Sequence, residues 1–398
     1  MKSSGKLVVT KYNKCILSLL YDKNNNVEQI LIDGGKHQSI LGNIYIGRVS
    51  IIHPNLNAAF VEYSPGQMGY FPIDENPDPI YIDLERPAGP LKNGDIILVQ
   101  VSKDSIKSKE PVLTSRIDLA GKYVVLSLSL EGVHFSAKFK DSAKKAEITE
   151  KINSCGFKGF GFILRTNAAT APLDSIMDEI DFLSKLWLTL RDYSAYKTVF
   201  SLIYPAPKSY ITSIRDGYDH MVGEIITDCE DIFYELNEYL SVYQPDDIGK
   251  LSLYNNKVVT LKVLYNVEKQ LEDALKPKVW LPSGGYLVIQ PTEALVSIDV
   301  NTGKYVSKRD AQKEFLKINM EAAAEIARQI RLRNLSGIII VDFISMKSKE
   351  AREELLKHLQ KLLNQDPVKT TLVEMTKLNL VEITRKKARR PLYELIDF

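Results

Sequence analysis

Two apolar runs in the last third of the chain each carry an acid at their carboxyl end: "ALVSIDV" holds Asp299 and "GIIIVDF" holds Asp342. Two carboxylates brought side by side repel, and one pKa rises unless a proton or a cation is shared. A hard divalent ion such as magnesium relieves that repulsion through oxygen ligands and retained waters. Asn301, two residues beyond Asp299, falls on the same side of a strand and can orient a carboxylate or a water. Taken singly, each acid has a plainer reading. Asp299 can open an Asx-turn or cap a helix, and Asp342 can pair with a neighbouring base. The pair together favours a metal site.

The elements that must position these acids are legible. "ALVSIDV" reads as a buried strand, and Ser307 with Asp310 three residues later is a capping-box start. The helix that follows carries Phe315, Ile318, Ala322, Ile326 and Ile330 on one face and stops near Asn334 to Gly337. "GIIIVDF" is a second buried strand, and Ser348 opens a helix with Leu355, Leu359 and Leu362 in register. Strand, helix, strand, helix predicts two parallel neighbours in one sheet, with both acids on one edge, where open α/β sheets take ligands.

Upstream, the first 35 residues alternate and predict a hairpin whose loop is the polar "DKNNN". From Gly42 come five short strand candidates, with a loop containing Pro77, Pro79, Pro87 and Pro90 between the third and fourth. That pattern suits a small OB-fold barrel. Residues 121 to 209 mix strands with a helix from Asp174 that places Ile176, Ile180, Leu183 and Trp187 on one face. Residues 214 to 276 predict two helical stretches around a hairpin-like "GKLSLYNNKVVTLKV", and "VWLPSGGYLVI" predicts two strands joined by a tight turn.

With 398 residues, 44% hydrophobic and 26% charged, the chain is expected to fold into two to four modules. No apolar run reaches signal-peptide or membrane-spanning length, so a cytoplasmic protein is expected. Cys15, Cys155 and Cys229 are widely spaced and suggest neither a disulfide framework nor a zinc site. A formal charge of +2 requires any polyanion to be met by a local patch.

The stretch from "SIDVNTGKYVSKRD" to "GIIIVDFISM", with "LPSGGYLVIQPTEAL" before it and "LVEITRKKARRPL" after it, resembles the catalytic region of the ribonuclease E/G family. The resemblance continues through "GNIYIGRVSIIHPNLNAAFVEYSPGQMGYFPI" and "GFGFILRT", covering nearly the whole chain in order. It implies a multidomain α/β and α+β architecture. A discontinuous ribonuclease-H-like domain (residues 1–40 and 210–276) would hold an inserted OB-fold RNA-binding domain (41–120) and a 5'-end sensor subdomain (121–209). A deoxyribonuclease-I-like catalytic domain (277–398) would follow.

The function implied is magnesium-dependent endoribonuclease cleavage of single-stranded, A/U-rich RNA, in RNA processing or decay. Products would carry 5'-phosphate and 3'-hydroxyl ends, and a 5'-monophosphate would stimulate cleavage. The family's metal ligands fall on Asp299 and Asp342, with Asn301 in support and one ion expected. RNA contacts fall on Phe60, Tyr70 and Lys109, and Lys369 keeps a basic residue near the active edge. Stacking on aromatic rings suits a loose base preference, although Phe60 alone reads equally well as barrel core. The 5'-phosphate pocket falls on Arg165 and Thr166, joined by the backbone near Val125 and Gly121. An Arg-Thr pair offers a planar fork and a hydroxyl to a terminal phosphate; by itself it is more often a surface ion pair.

Some residues depart from the family pattern. No cysteine follows Cys229, so the CxxC that would bind a structural zinc is missing and zinc-linked assembly is not expected; a homodimer is left open. Ser345 stands where an acid is common, Asn167 follows Arg165-Thr166, and Asn379 replaces a glycine. A non-catalytic RNA-binding or scaffold protein of the same fold is the alternative reading. A deoxyribonuclease would use the same metal chemistry.

Overall fold

A computed structural model describes residues 5–35, 38–83, 89–105, 109–216, 222–303, 311–387 and 389–396. The chain divides into two compact units, Ser39–Asp219 and the combination of Met1–Gln38 with His220–Phe398. Each is mixed α/β or α+β in character.

In the unit Ser39–Asp219, five strands close a barrel: Ile44–His53, Ala58–Ser64, Gln67–Pro72, Val112–Thr114 and Ile96–Lys103, the last pairing back onto the first. Alternation drives it. Ala59, Val61 and Tyr63 turn into a core with Phe71, Val99 and Leu113, and the residues between them turn out. All five strands coincide with the expected candidates, so an OB-like barrel is present. Two short strands, Leu202–Tyr204 and Ile80–Tyr81, extend it.

The same unit holds a four-stranded sheet in the order Asp118–Ala120, Val124–Ser127, Gly161–Leu164, Gly132–Phe135. Helix Leu173–Ser194 buries Ile176, Ile180, Leu183 and Trp187, as its periodicity predicts. Helix Ser142–Ser154 was not expected. It is mostly polar, buries only Ile148 and Ile152, and starts on an Asp141 cap that accepts from the Lys144 amide.

In the other unit, a five-stranded sheet runs Leu251–Leu253, Glu224–Thr227, Lys6–Tyr12, Cys15–Tyr21, Val27–Gly34. Strands from the first 34 residues and from the middle of the chain therefore share one sheet. The amino-terminal hairpin is in fact three antiparallel strands, because Asn13, at φ 53°, turns the chain after Tyr12. The hairpin expected around "GKLSLYNNKVVTLKV" is not formed. Leu251–Leu253 pairs in parallel with Glu224–Thr227, and the chain then turns into helices Leu261–Leu264 and Val267–Leu275.

The six-stranded sheet of this unit carries the acids, in the order Lys278–Trp280, Tyr286–Pro291, Leu295–Asn301, Gly337–Asp342, Leu380–Arg385, Thr370–Met375. Helices Ala311–Leu332 and Lys349–Leu363 cover one face, burying Ile318, Ile326, Ile330, Leu355 and Leu359 against Leu287, Ile298, Ile339 and Val381. Ser348 caps the second helix by accepting from the Ala351 amide. The expected Ser307–Asp310 cap lies outside the described residues.

Candidate active site

The strands Leu295–Asn301 and Gly337–Asp342 are parallel, and their register sets Asp299 opposite Asp342. Registered residues of neighbouring strands project from the same face, so the two carboxylates share one face and one end of the sheet. That face is the one the helices leave open. Ile298, Val300 and Val341 are buried, whereas Asp299 and Asp342 are exposed. Asn301 donates from Nδ2 to Asp299 Oδ2 at 2.7 Å, which fixes the orientation of that carboxylate.

Among the described residues no group of three or more His, Cys, Asp or Glu is placed to hold a metal ion. The donors on this edge are therefore two carboxylates and one amide, all oxygen in character and open to water. That set is too small for a closed all-protein cage; it fits a hard cation that keeps most of its waters.

Lys369 does not join this edge. The residue after it, Thr370, registers with Arg385, which registers with Gly337, so Lys369 sits at the far end of the sheet. Gly337 and Asp342 are five residues apart on one strand, which at about 3.3 Å per residue is roughly 17 Å. The expectation that Lys369 lies near the acids fails because it precedes its strand rather than ending it.

On the barrel, Phe60 registers with Tyr70, and their rings meet edge to face with centroids 6.0 Å apart. Phe60 lies between buried Ala59 and Val61 and is only half-buried, outside the barrel core. Its ambiguity in sequence, core or surface, is resolved by strand alternation. His53 extends the patch, its ring 5.5 Å from Phe60. Exposed Lys109 precedes Pro111, whose carbonyl accepts from the Tyr70 amide at 2.8 Å.

Arg165, Thr166, Gly121 and Val125 are brought together by the four-stranded sheet. Val125 registers with Ile163, the Arg165 amide donates to the Tyr123 carbonyl, and Arg165 Nη1 donates to the Gly121 carbonyl at 2.7 Å. Thr166 Oγ1 lies 3.3 Å from Ser136 Oγ.

Three residues of this cluster were not anticipated. Asp216 accepts from Arg165 Nη1 at 2.7 Å and takes a bidentate pair from Arg215 Nε and Nη2. Glu179 accepts from three successive amides, Lys122, Tyr123 and Val124, at 2.6, 2.7 and 2.8 Å. Gly121 leaves room for it, since a Cβ there would lie 2.4 Å from the Glu179 carboxyl carbon.

The two acids respond oppositely. Burial pushes the Glu179 carboxyl up, and the three amides and Arg165 only partly offset that. Burial would also raise Asp216, but hydrogen bonds and charge from Arg215 and Arg165 hold it below the usual carboxylate value. A signal for Glu179 was present: it stands beside Ile180, on a helix face otherwise occupied by Ile176 and Leu183.

The profile of the Ribonuclease E/G family matches residues 118–388, and the chain belongs to that family. Ribonuclease E of a Nostoc species is 32% identical over 379 residues, covering 93% of this chain and 54% of that protein. Ribonuclease G of Haemophilus influenzae is 30% identical over 380 residues, covering 93% of this chain and 77% of that protein. Ribonuclease G of Escherichia coli is 31% identical over 384 residues, with the same shares of 93% and 77%. The chain thus spans about half the length of the Nostoc relative. No helix among the described residues is long and apolar enough to cross a membrane.

Proposed function

We propose that the chain is an endoribonuclease of RNA processing or decay that hydrolyses single-stranded, A/U-rich RNA with magnesium. The observation that carries this reading is the register of Asp299 with Asp342 on an open sheet face. Family membership supplies the substrate class. In this reading the segment 277–398 is the deoxyribonuclease-I-like catalytic domain and the discontinuous five-stranded sheet belongs to a ribonuclease-H-like domain.

Asp299 and Asp342 would hold the ion, one rather than two because among the described residues they are the two carboxylates in register at this end of the sheet. When bound, it supplies a polarised water and neutralises charge on the phosphodiester oxygens. Asn301 keeps the Asp299 carboxylate oriented. Phe60 and Tyr70 stack bases, with Lys109 against the phosphate backbone, which positions the strand without reading its sequence closely. Arg165 and Thr166, with the backbone at Gly121 and Val125, receive a 5'-monophosphate. Products carry 5'-phosphate and 3'-hydroxyl ends.

Purified protein is incubated with A/U-rich single strands bearing 5'-monophosphate, 5'-triphosphate or 5'-hydroxyl ends, with magnesium or with a chelator. Cleavage that needs the metal and is fastest on the 5'-monophosphate supports the reading. Equal rates on all three ends remove the sensor and leave the nuclease. Binding without cleavage favours the scaffold alternative.

A further inference from the structure

The open face of the six-stranded sheet continues past the acids to its edge. In the antiparallel ladders Asp299 registers with Val288, which registers with Lys278; Asn301 registers with Tyr286, which registers with Trp280. Two rows of side chains therefore run across the same face, one ending on a lysine and the other on two aromatic rings. Two strand spacings of about 4.8 Å put the ends of these rows roughly 10 Å from Asp299 and Asn301.

At the edge, Trp280 and Tyr286 meet at a ring-centroid distance of 5.3 Å and an interplanar angle of 61°. The Lys278 ammonium lies 4.1 Å from the Trp280 centroid and 3.8 Å from that of Tyr286. Among the described residues it has no carboxylate partner. Trp280 remains 63% exposed despite the lysine beside it. A large exposed ring on a short edge strand does not serve the core, which lies on the other face.

We propose that Lys278, Trp280 and Tyr286 form a base-stacking subsite for single-stranded RNA, placed on the catalytic face to hold nucleotides next to the scissile phosphate. This rests on RNA being the substrate. The chemistry selects the occupant. The ring faces that the ammonium leaves open accept any base, the ammonium, with no carboxylate partner among the described residues, accepts a phosphate, and the rows lead without interruption to the two acids. A second copy of the chain pairing along the edge strand Lys278–Trp280 would use the same exposure. It would leave the lysine without an anion.

The chain has two tryptophans, and Trp187 is 6% exposed, so a fluorescence change on adding RNA reports Trp280. The probe is a 5'-hydroxyl A/U single strand, titrated with chelator present so that binding is read apart from cleavage. Quenching that saturates and is absent in Trp280→Phe is expected. Trp280→Ala should weaken binding and raise KM by roughly 5- to 150-fold with kcat little changed, and Trp280→Phe should keep most of the affinity. Lys278→Gln should reduce the salt dependence of binding.

Quenching without any cleavage would sink the nuclease reading and leave the subsite standing. A wild type that cleaves, with no quenching and an unchanged KM in Trp280→Ala, overturns the subsite. So does a Trp280→Ala variant that loses a dimer in sedimentation while its RNA affinity is unchanged.

Discussion

Arg165 divides one guanidinium nitrogen between the Gly121 carbonyl and Asp216 Oδ1, 2.7 Å from each. The guanidinium is thereby held in place against the Gly121 carbonyl. Arg165→Lys keeps the charge and loses the planar fork. The preference for 5'-monophosphate over 5'-hydroxyl RNA should fall by roughly 10- to 100-fold. Cleavage of the 5'-hydroxyl strand should be unchanged, as read from paired kcat/KM values.

Asp216 and Glu179 should give opposite pH signatures. The folded pKa of Asp216 is depressed, so its contribution is present above the unfolded value of 3.8 and lost as pH falls through the folded one. The stability difference between wild type and Asp216→Asn should hold from neutral pH to about 4 and shrink below it. The folded pKa of Glu179 is raised above 4.5, so the difference between wild type and Glu179→Gln should decline as pH rises from below that value. Denaturation midpoints across pH check both.

Arg385, on the six-stranded sheet, forms an ion pair with Asp366, with Nε 2.8 Å from Oδ2 and side-chain exposures of 2% and 1%. Arg385 also donates to the Asn334 side chain and the Leu335 carbonyl. Asp366→Ala leaves a buried guanidinium uncompensated and should cost about 3 to 5 kcal/mol. The double change Asp366→Leu with Arg385→Met should cost less than Asp366→Ala alone, as measured by chemical denaturation.

On the barrel, Phe60→Ala should weaken binding of a single strand by about 1 to 3 kcal/mol per base lost from the stack. Melting temperature should change little, since the ring lies outside the barrel core. Titration of RNA alongside a thermal melt separates a binding residue from a structural one.

Much of this was legible because the informative residues are local. Asp299 and Asp342 each follow an apolar run, and one helix between two such strands dictates a parallel pair. The barrel strands were visible through alternation, whereas Phe60 was placed outside the core only by the structure. What was hidden depends on partners distant in sequence. Glu179 meets amides 55 to 57 positions away, and Asp216 meets Arg165 51 positions away, so the partners are not legible locally even where the acid on an apolar helix face, Glu179, is. Helix Ser142–Ser154 escaped notice because it buries two residues only. Asn379, which stands where the family has glycine, sits at φ 64°, a left-handed position that asparagine tolerates. That departure therefore preserves the turn leading to Leu380, the residue registered with Asp342.

If Asp299 and Asp342 together hold the ion for hydrolysis, the loss of either acid removes the site. Magnesium-dependent cleavage of a 5'-monophosphate A/U-rich single strand is measured for wild type, Asp299→Asn, Asp342→Asn and the double variant, with folding and RNA binding checked in each. Each single change should lower kcat by more than about 100-fold while RNA is still bound, and the double variant should lose little more, because the two acids act as one site. Cleavage at the wild-type rate in either single variant would contradict the account.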